Sequence, residues 1–167
     1  MNYKSLLLAL LVVSSVKGQS SRDTVYVSDY VKPNTYENCV EGIQQAIEAC
    51  KNRGAKVLSF DRGRYDIWPE KAIRKEYFIS NTSTEQECSS KIKTVGLLFD
   101  GIKGLEIDGN GALLMYHGKM IMMAFDQCNG ILVHSLNTDF ERPTASEIEY
   151  IKVDTDGVDV RFHRDSR

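Results

Sequence analysis

The densest cluster of polar side chains lies at residues 137–143, where Asp139 and Glu141 stand next to Arg142. If this segment is a strand, the two carboxylates share one face about 6.6 Å apart, and Phe140 points to the other face. Inverting glycosidases hold two carboxyl groups about 6.5–9.5 Å apart to admit a water molecule. Any acidic pair with this spacing on a strand has the same separation, so an exposed ion-pair cluster that includes Arg142 fits equally. Asp139, Glu141 and Arg142 are therefore candidates for substrate contact, with a structural ion-pair cluster and a catalytic pair as the alternatives.

A second candidate for binding a polar substrate is His117, which precedes Gly118 and Lys119. A single histidine at a turn is also commonly structural or solvated. Three aromatic residues could stack on a sugar ring, but aromatic side chains are equally suited to a hydrophobic core. The aromatic residues in question are Tyr65, Trp68 and Tyr77.

The Gly-Asn-Gly string at 109–111 has the look of a phosphate-binding loop, but position 114 is Leu and an apolar strand pattern follows. A dinucleotide fingerprint needs a third glycine and a helix at those places. Glycine and asparagine instead favour a tight turn with positive φ. The sequence contains no Ser-His-Asp order, no paired metal ligands and no reactive thiol site, so we expect no metal and no cofactor.

An internal repeat predicts the elements that position these side chains. Gly-Leu-Glu-Ile at 104–107 recurs as Gly-Ile-Leu-Val at 130–133 and, more loosely, as Gly-Val-Asp-Val at 157–160. A Phe-Asp pair precedes each of the first two copies, at 99–100 and 125–126. Repeats of roughly 20–50 residues indicate stacked units that share one core. Each copy is a short alternating apolar run after a turn residue, which predicts a strand of a β-solenoid.

The N-terminal part predicts an element that covers one end of this solenoid. A strand is expected at 24–27, followed by a helix capped by Asn34 or Thr35 and ended by Gly54. Apolar residues recur at helical spacing and predict its buried stripe: Val40, Ile43, Ala46, Ile47 and Cys50. A helix at this place would shield the open edge of the sheets from pairing with other chains.

Further short strands are expected along the rest of the chain, with a break at 144–149 and a resumption of the pattern at 151–153 and 158–162. The order of a strand, a helix and then repeated short strands is typical of a right-handed parallel β-helix. The predicted fold class is therefore all-β, a right-handed parallel β-helix with an N-terminal capping α-helix.

Composition indicates one soluble globular domain. The chain has 167 residues, a formal net charge of −2, 42% hydrophobic and 26% charged residues, which gives no basic patch for nucleic acid. Residues 1–18 combine Lys4, the apolar run 6–13 and small residues before position 19. This pattern predicts a cleaved signal peptide that is too short to span a membrane, with a buried strand as the alternative. We expect an exported chain whose mature domain is 19–167.

The four cysteines are Cys39, Cys50, Cys88 and Cys128. An exported chain permits disulfides. Cys39 and Cys50 on one helix would stand about 16 Å apart, too far to bridge. We therefore expect free, buried thiols, with a bridge from Cys88 left open as the alternative.

Longer strings in the sequence resemble glycoside hydrolase family 110 over roughly residues 28–163. The most specific are Tyr-Asp-Ile-Trp-Pro at 65–69, Met-Tyr-His-Gly at 115–118 and Asp-Phe-Glu-Arg-Pro at 139–143. This resemblance implies an exported bacterial exo-α-1,3-galactosidase, periplasmic or extracellular, built on a right-handed parallel β-helix. Such enzymes remove terminal α-1,3-linked galactose, as in blood group B-type glycans, with inversion and without a metal. The implied partner is a terminal α-galactosyl oligosaccharide or glycoconjugate.

Members of this family are several times longer than the chain. The resemblance therefore implies the N-terminal portion of such an enzyme, with the helical cap and first rungs of the β-helix but without the later rungs and the C-terminal cap. It also implies that the catalytic carboxylates lie beyond residue 167, so no catalytic role is assigned to a residue here. The alternative is a catalytically inactive truncated β-helix or a glycan-binding stub.

Overall fold

The computed structural model describes residues 23–78, 84, 86, 90–142 and 147–162. Within these residues the chain forms one α-helix, α1 (Val40–Arg53), and twelve β-strands. The strands are β1 (Thr24–Tyr26), β2 (Val57–Ser59), β3 (Arg64–Ile67), β4 (Ile73–Glu76), β5 (Ile92–Asp100), β6 (Glu106–Asp108), β7 (Leu113–Tyr116), β8 (Ile121–Asp126), β9 (Leu132–His134), β10 (Asn137–Phe140), β11 (Ile148–Asp154) and β12 (Gly157–Phe162).

Three sheets hold most of the strands, and their pairing is mainly parallel. Sheet 1 has the order β1-β2-β6-β9, sheet 2 the order β3-β7-β10, and sheet 3 the order β4-β5-β8. All of these pairs are parallel except β4 with β5. From β5 to β10 the chain visits sheet 3, sheet 1 and sheet 2, and then the same three again. The structure is therefore an all-β arrangement of parallel sheets with one helix.

The register of two strand pairs matches the spacing of the first two repeat copies. Leu97 of β5 pairs with Met123 of β8, and Ile107 of β6 pairs with Val133 of β9. The second glycine of the repeat also lies against the first, because a Cβ placed on Gly130 would stand 3.7 Å from the Gly104 Cα. Residues at equal positions in the two copies are thus neighbours in adjacent strands.

The core lies between the three sheets and is filled in part by alternate residues of strands such as β2, β6 and β7. In sheet 2, Tyr65 and Ile67 of β3 and Leu114 and Tyr116 of β7 are fully buried. Phe140 of β10 is partly buried against the same core, with its ring centroid 5.8 Å from that of Tyr116. Because side chains alternate between faces along a strand, Arg64 and Asp66 of β3, Met115 of β7 and Asp139 of β10 lie on the outer face of sheet 2.

Helix α1 packs its apolar stripe onto this core. The predicted stripe residues are all buried: Val40, Ile43, Ala46, Ile47 and Cys50. The helix ends at Gly54, whose φ of 63° is left-handed, as the sequence predicts. On the same helix, the Gln44 side chain donates to the carbonyl of Leu98 in β5 (2.9 Å) and accepts from its N–H (3.1 Å). One side-chain amide therefore satisfies a strand edge that has no neighbouring strand at this point.

The prediction that Asn34 or Thr35 caps the helix is wrong. The backbone of Asn34 and Tyr36 is left-handed, with φ of 62° and 59°, so the chain turns twice before α1 begins at Val40. The Asn34 carboxamide oxygen accepts instead from the Arg64 N–H at 2.9 Å. The Asn38 carboxamide oxygen accepts from the Val40 N–H at 3.2 Å and takes over the role of the cap.

The third repeat copy does not stack on the others, contrary to the sequence-based expectation. Gly157–Phe162 forms β12, which pairs antiparallel with β11 in a hairpin of its own. The turn between the strands is closed by the Asp154 carboxylate, which accepts from the N–H groups of Asp156 and Gly157. Parallel neighbours need a long crossover connection, whereas a turn this short permits only antiparallel pairing. The Asp156-Gly157 dipeptide between alternating apolar runs is the sequence signal for this hairpin.

The Gly-Asn-Gly string at 109–111 forms a turn, as the sequence predicts. Asn110 and Gly111 have φ of 47° and 76°. The Gly111 N–H donates to the Ser135 carbonyl at 2.7 Å, which ties the turn to the next strand connection.

Three of the four cysteines lie within the described residues, and all three are free thiols. Cys39 and Cys50 are buried, and burial raises the pKa of the Cys50 thiol to about 11. Cys128 is partly exposed. Cys88 and the predicted signal peptide 1–18 lie outside the described residues. In the part of the chain that is described, no helix is both long enough and apolar enough to cross a membrane.

Candidate functional site

Strand register brings three polar or aromatic side chains together at one end of sheet 2. Ile67, Tyr116 and Phe140 are paired across β3, β7 and β10. The ladder continues one residue further, because the His117 N–H donates to the Ile67 carbonyl and the Glu141 N–H to the Tyr116 carbonyl. Trp68, His117 and Glu141 follow these strand ends and form one row. Asp66, Met115 and Asp139, two positions earlier, form a second row on the same outer face.

His117 is the centre of this group. Its Nε2 lies 2.7 Å from the Asp66 Oδ1, and its Nδ1 lies 2.7 Å from the Glu141 Oε2. The side chains of His117 and Asp66 are almost without solvent contact, whereas the Glu141 side chain is about half exposed. The ring thus connects an inner carboxylate to an outer one.

Arg64 holds Asp66 from the other side. Its Nε lies 3.0 Å from both carboxylate oxygens of Asp66, and its Nη2 lies 2.5 Å from the Asp66 Oδ1. The same Nη2 lies 3.8 Å from the Glu141 Oε1. The guanidinium also stands over the ring of Tyr36, at 5.3 Å from its centroid. One guanidinium therefore reaches both carboxylates of the group.

Trp68 covers the histidine ring. The two rings are parallel within 2°, with their centroids 3.6 Å apart. Such a stack excludes water from one side of the imidazole. Trp68 also stays partly open to solvent, so it can contact a bound molecule at the same place.

The charges in this group are mutually compensated. Burial by itself raises the pKa of Asp66, but hydrogen bonds from Arg64 and His117 more than offset it, so the pKa of this carboxyl lies below its ordinary value. The hydrogen bond to Asp66 likewise raises the pKa of Arg64. Asp66 therefore stays ionised in a place where an unpaired carboxylate would be costly.

The three residues predicted from the 137–143 cluster have different roles in the structure. Glu141 belongs to the group around His117. Asp139 is exposed on the same outer face, where its carboxylate accepts from the Phe140 N–H at 2.8 Å. Arg142 is exposed, and in the described part of the chain Arg64 rather than Arg142 is the arginine beside Glu141. The acidic pair therefore shares one face, as the strand pattern predicts, but its ion-pair partner is a different residue.

Sequence reasoning missed Arg64 and Asp66. Their positions in the sequence indicate only a turn and a short strand, although charged residues alternate there with the apolar Tyr65 and Ile67. That alternation is a signal for an outer face. It does not indicate which distant residue lies beside it, because His117 is 51 residues away from Asp66.

A second polar cluster lies on sheet 3. The Asp126 Oδ2 accepts from the Lys75 Nζ at 2.6 Å and from the Tyr77 hydroxyl at 2.8 Å. Lys75 also faces Asp100, which pairs with Asp126 across β5 and β8. The lysine thus separates two neighbouring carboxylates and has a structural explanation. No set of three or more His, Cys, Asp or Glu side chains suited to a metal ion occurs in the described ranges.

Comparison with known proteins gives the group a context. No protein-family model matches the chain. The chain is 56% identical over 166 residues to alpha-1,3-galactosidase A of Bacteroides fragilis, which is 99% of this chain and 27% of that protein. The chain is related to the α-1,3-galactosidases. It is also 36% identical to alpha-1,3-galactosidase B of Bacteroides thetaiotaomicron over 155 residues, with 88% of this chain and 24% of that protein covered.

A more distant α-1,3-galactosidase, the A enzyme of Shewanella woodyi, is 32% identical over 120 residues, with 71% of this chain and 19% of that protein covered. The chain thus spans about a quarter of the length of the curated α-1,3-galactosidases that it matches. The resemblance predicted from the sequence strings is confirmed, and it extends over nearly the whole chain.

Proposed function

We propose that this chain is part of a glycoside hydrolase that removes terminal α-1,3-linked galactose from oligosaccharides and glycoconjugates, including blood group B-type structures. The support is the 56% identity over 99% of the chain to a relative named alpha-1,3-galactosidase A. At this level of identity over nearly the whole chain, the two proteins are expected to share the strands and sheets of this segment.

The single structural observation that carries this proposal is the Glu141 carboxylate, which a buried histidine holds at 2.7 Å although it remains half exposed. A carboxylate fixed in this way is already ordered before the ligand binds. It can therefore accept hydrogen bonds from sugar hydroxyls at a smaller cost in conformational entropy. Asp139 and Arg142 add an acceptor and donors on the same side, and Trp68 adds an aromatic surface. Asp139, Glu141 and Arg142 are accordingly proposed to contact the glycan.

The parallel sheets are proposed to be the first turns of a right-handed parallel β-helix with α1 over one end. The support is the cyclic order of strands from β5 to β10 and the helix packed on the core. In this proposal the catalytic carboxylates belong to further turns beyond residue 167, and hydrolysis proceeds with inversion and without a metal. We further propose an exported, periplasmic or extracellular bacterial protein that enters export through residues 1–18.

A chimera tests the proposed function. The chain replaces the corresponding segment of the Bacteroides fragilis relative, and galactose release is measured from an α-1,3-linked galactosyl disaccharide, with an α-1,6-linked one as control. We expect release from the α-1,3 linkage, with β-galactose as the first anomer seen by proton NMR. A folded chimera that releases no galactose, while the parent relative does, would contradict the proposal.

A second candidate is a glycan-binding chain that does not hydrolyse. The observation that favours it is the pairing of Glu141 with His117 and Arg64, which leaves neither carboxylate of this group as a free acid or base. For this candidate the chain alone binds an α-galactoside and releases no galactose. Binding measured by titration calorimetry together with a galactose-release assay separates the two candidates.

A further inference from the structure

The contacts of His117 determine how many N–H groups its ring needs in order to donate to both of its neighbours. Both ring nitrogens face carboxylate oxygens at 2.7 Å, and an ionised carboxylate can only accept a hydrogen bond. A neutral imidazole carries one N–H and can donate to only one of Asp66 and Glu141. A doubly protonated ring donates to both.

The inner contact is the more firmly held of the two. Asp66 is buried and is also bound by Arg64, and both partners keep it ionised. Glu141 is half exposed and its second partner, Arg64, is 3.8 Å away. When the ring carries only one N–H, donation to buried Asp66 is favoured, because an unpaired buried carboxylate costs more than an exposed one. Glu141 is then the carboxylate that is released.

We propose that His117 is a positioning residue that fixes the Glu141 carboxylate for a sugar hydroxyl, and that it does so only while its ring is doubly protonated. The proposal rests on the proposed function for the identity of the ligand, a terminal α-galactosyl unit. In the fixed state, Glu141 Oε2 accepts from His117, and Oε1, which lies 3.8 Å from the Arg64 Nη2, can accept from a sugar hydroxyl. In the released state, the Glu141 side chain samples several rotamers. Binding of the sugar must then offset the conformational entropy that this side chain loses.

The surroundings of the ring carry a net negative charge. The charged groups that face His117 in the described part of the chain are Asp66 and Arg64 from β3 and Glu141 after β10. Two carboxylates and one guanidinium leave one negative charge for the ring to neutralise. Trp68, stacked at 3.6 Å, presents the negative face of its π-system to the ring.

The first test uses two variants that each retain one of the contacts. In His117→Gln the amide nitrogen takes the place of Nε2 and keeps the bond to Asp66, while the bond to Glu141 is lost. In His117→Asn the amide nitrogen takes the place of Nδ1 and keeps the bond to Glu141, while Asp66 retains only Arg64. The dissociation constant for methyl α-galactoside and the melting temperature are measured for both variants and for the unaltered chain from pH 5 to pH 8.5.

We expect the unaltered chain to bind more weakly as the pH rises and the ring loses a proton. His117→Gln should bind about tenfold more weakly at the acidic end, which corresponds to the loss of one charge-assisted hydrogen bond, and its affinity should no longer depend on pH. His117→Asn should lower the melting temperature more than the affinity. Equal affinity and equal pH dependence in the unaltered chain and His117→Gln would overturn the positioning role.

A second measurement needs no ligand and separates this inference from the proposed function. The carbon-13 shift of the Glu141 carboxylate is followed by NMR across the same pH range. We expect a step at the pH at which the His117 ring titrates, and no such step in His117→Gln. If the step is present but no α-galactoside binds, the positioning role stands and the proposed ligand is wrong. If the step is absent from the unaltered chain, the positioning role is wrong.

Discussion

At the scale of residues, the candidate site depends on a buried carboxylate that would destabilise the fold if it had no partners. The Asp66 side chain is 2% exposed, and it is kept ionised by a guanidinium on one side and an imidazole on the other. Breaking one partner of such a group costs more than the bond itself, because the charge that remains is buried. Stability and site geometry are therefore properties of the same three side chains, Arg64, Asp66 and His117.

Asp66→Asn tests this dependence through pH. The pKa of Asp66 is lowered in the folded chain, so its contribution to stability is fully present above the ordinary carboxyl value of about 4 and is lost as the pH falls through the folded value. We expect the free energy of unfolding of the variant to be about 2 kcal/mol lower than that of the unaltered chain at pH 7. Between pH 4 and pH 2, the free energy of unfolding should fall less in the variant than in the unaltered chain. Asp139→Asn, an exposed carboxylate on the same face, is the matched control. Chemical unfolding at each pH measures both, and parallel pH curves for the two variants would contradict the prediction.

Gly96 is a residue whose lack of a side chain admits a buried ring. A Cβ at this position would stand 2.8 Å from the Tyr116 Cε1 and 2.9 Å from the Met122 carbonyl oxygen. Gly96→Ala should therefore destabilise the chain by about 1–3 kcal/mol, because neither a core ring nor a strand backbone can move aside cheaply. Gly54→Ala, which meets no atom within 4 Å but must adopt a φ of 63°, serves as a comparison with backbone strain alone. Thermal unfolding that ranks Gly96→Ala as harmless would show that the core has room for the added methyl group.

At the scale of elements, α1 takes the place of a strand as well as packing on the core. Its apolar stripe is buried in the core between the sheets, and Gln44 pairs with the backbone of Leu98 in β5. Unpaired backbone groups at a sheet edge can form hydrogen bonds with a strand of another chain, whereas a covered edge cannot. The helix thus protects the sheet by hydrogen bonding and by burial together.

Gln44→Ala separates the two effects of α1, because it removes both hydrogen bonds and leaves the apolar stripe intact. We expect a loss of about 1–3 kcal/mol in the free energy of unfolding, since two backbone groups of a buried strand become unpaired. Hydrogen exchange of the Leu98 amide should accelerate more than that of its neighbours. Gln45→Ala, an exposed position on the same helix, should change neither quantity. An unchanged Leu98 exchange rate would mean that water replaces the amide at no cost.

At the scale of the whole molecule, apolar surface is left uncovered at the hairpin of β11 and β12. Three cross-strand pairs share one face of the hairpin: Ile148 with Phe162, Tyr150 with Val160, and Val153 with Val158. All six side chains are exposed. The opposite face carries polar groups such as the Glu149–Arg161 ion pair. A continuous apolar face of this kind on the surface of a chain favours association.

We expect the chain to self-associate in a concentration-dependent manner through this face, as measured by sedimentation velocity. Val160→Lys should shift the distribution toward the monomer, because it places a charge in the middle of the face. Asp159→Lys, on the polar face of the same strand, adds a lysine without touching the apolar residues and should leave the distribution unchanged. A single monomeric species at all concentrations for the unaltered chain would contradict this expectation.

Much of the local structure was predictable because it depends on residues that are near one another in the chain. The spacing of Val40, Ile43, Ala46, Ile47 and Cys50 predicts the buried side of α1, and the structure agrees. The prediction that the third repeat copy stacks on the others was wrong. The alternation of apolar and polar residues indicates a strand, but it does not indicate which strand pairs with it. The turn at Asp154–Gly157 decides that partner, since it returns the chain too soon for a parallel crossover.

The sequence by itself determined the short strands, the one amphipathic helix and the placement of Asp139 and Glu141 on one strand face. These follow from the periods of 2 and 3.6 residues that the backbone imposes on side-chain direction. Only the tertiary structure decided that Asp66, His117 and Glu141 meet, at separations of 51 and 24 residues along the chain. The physical reason is that parallel register is set by the length of the connections between strands, and the two connections in sheet 2 differ. No local periodicity encodes which of the possible rows of side chains is formed.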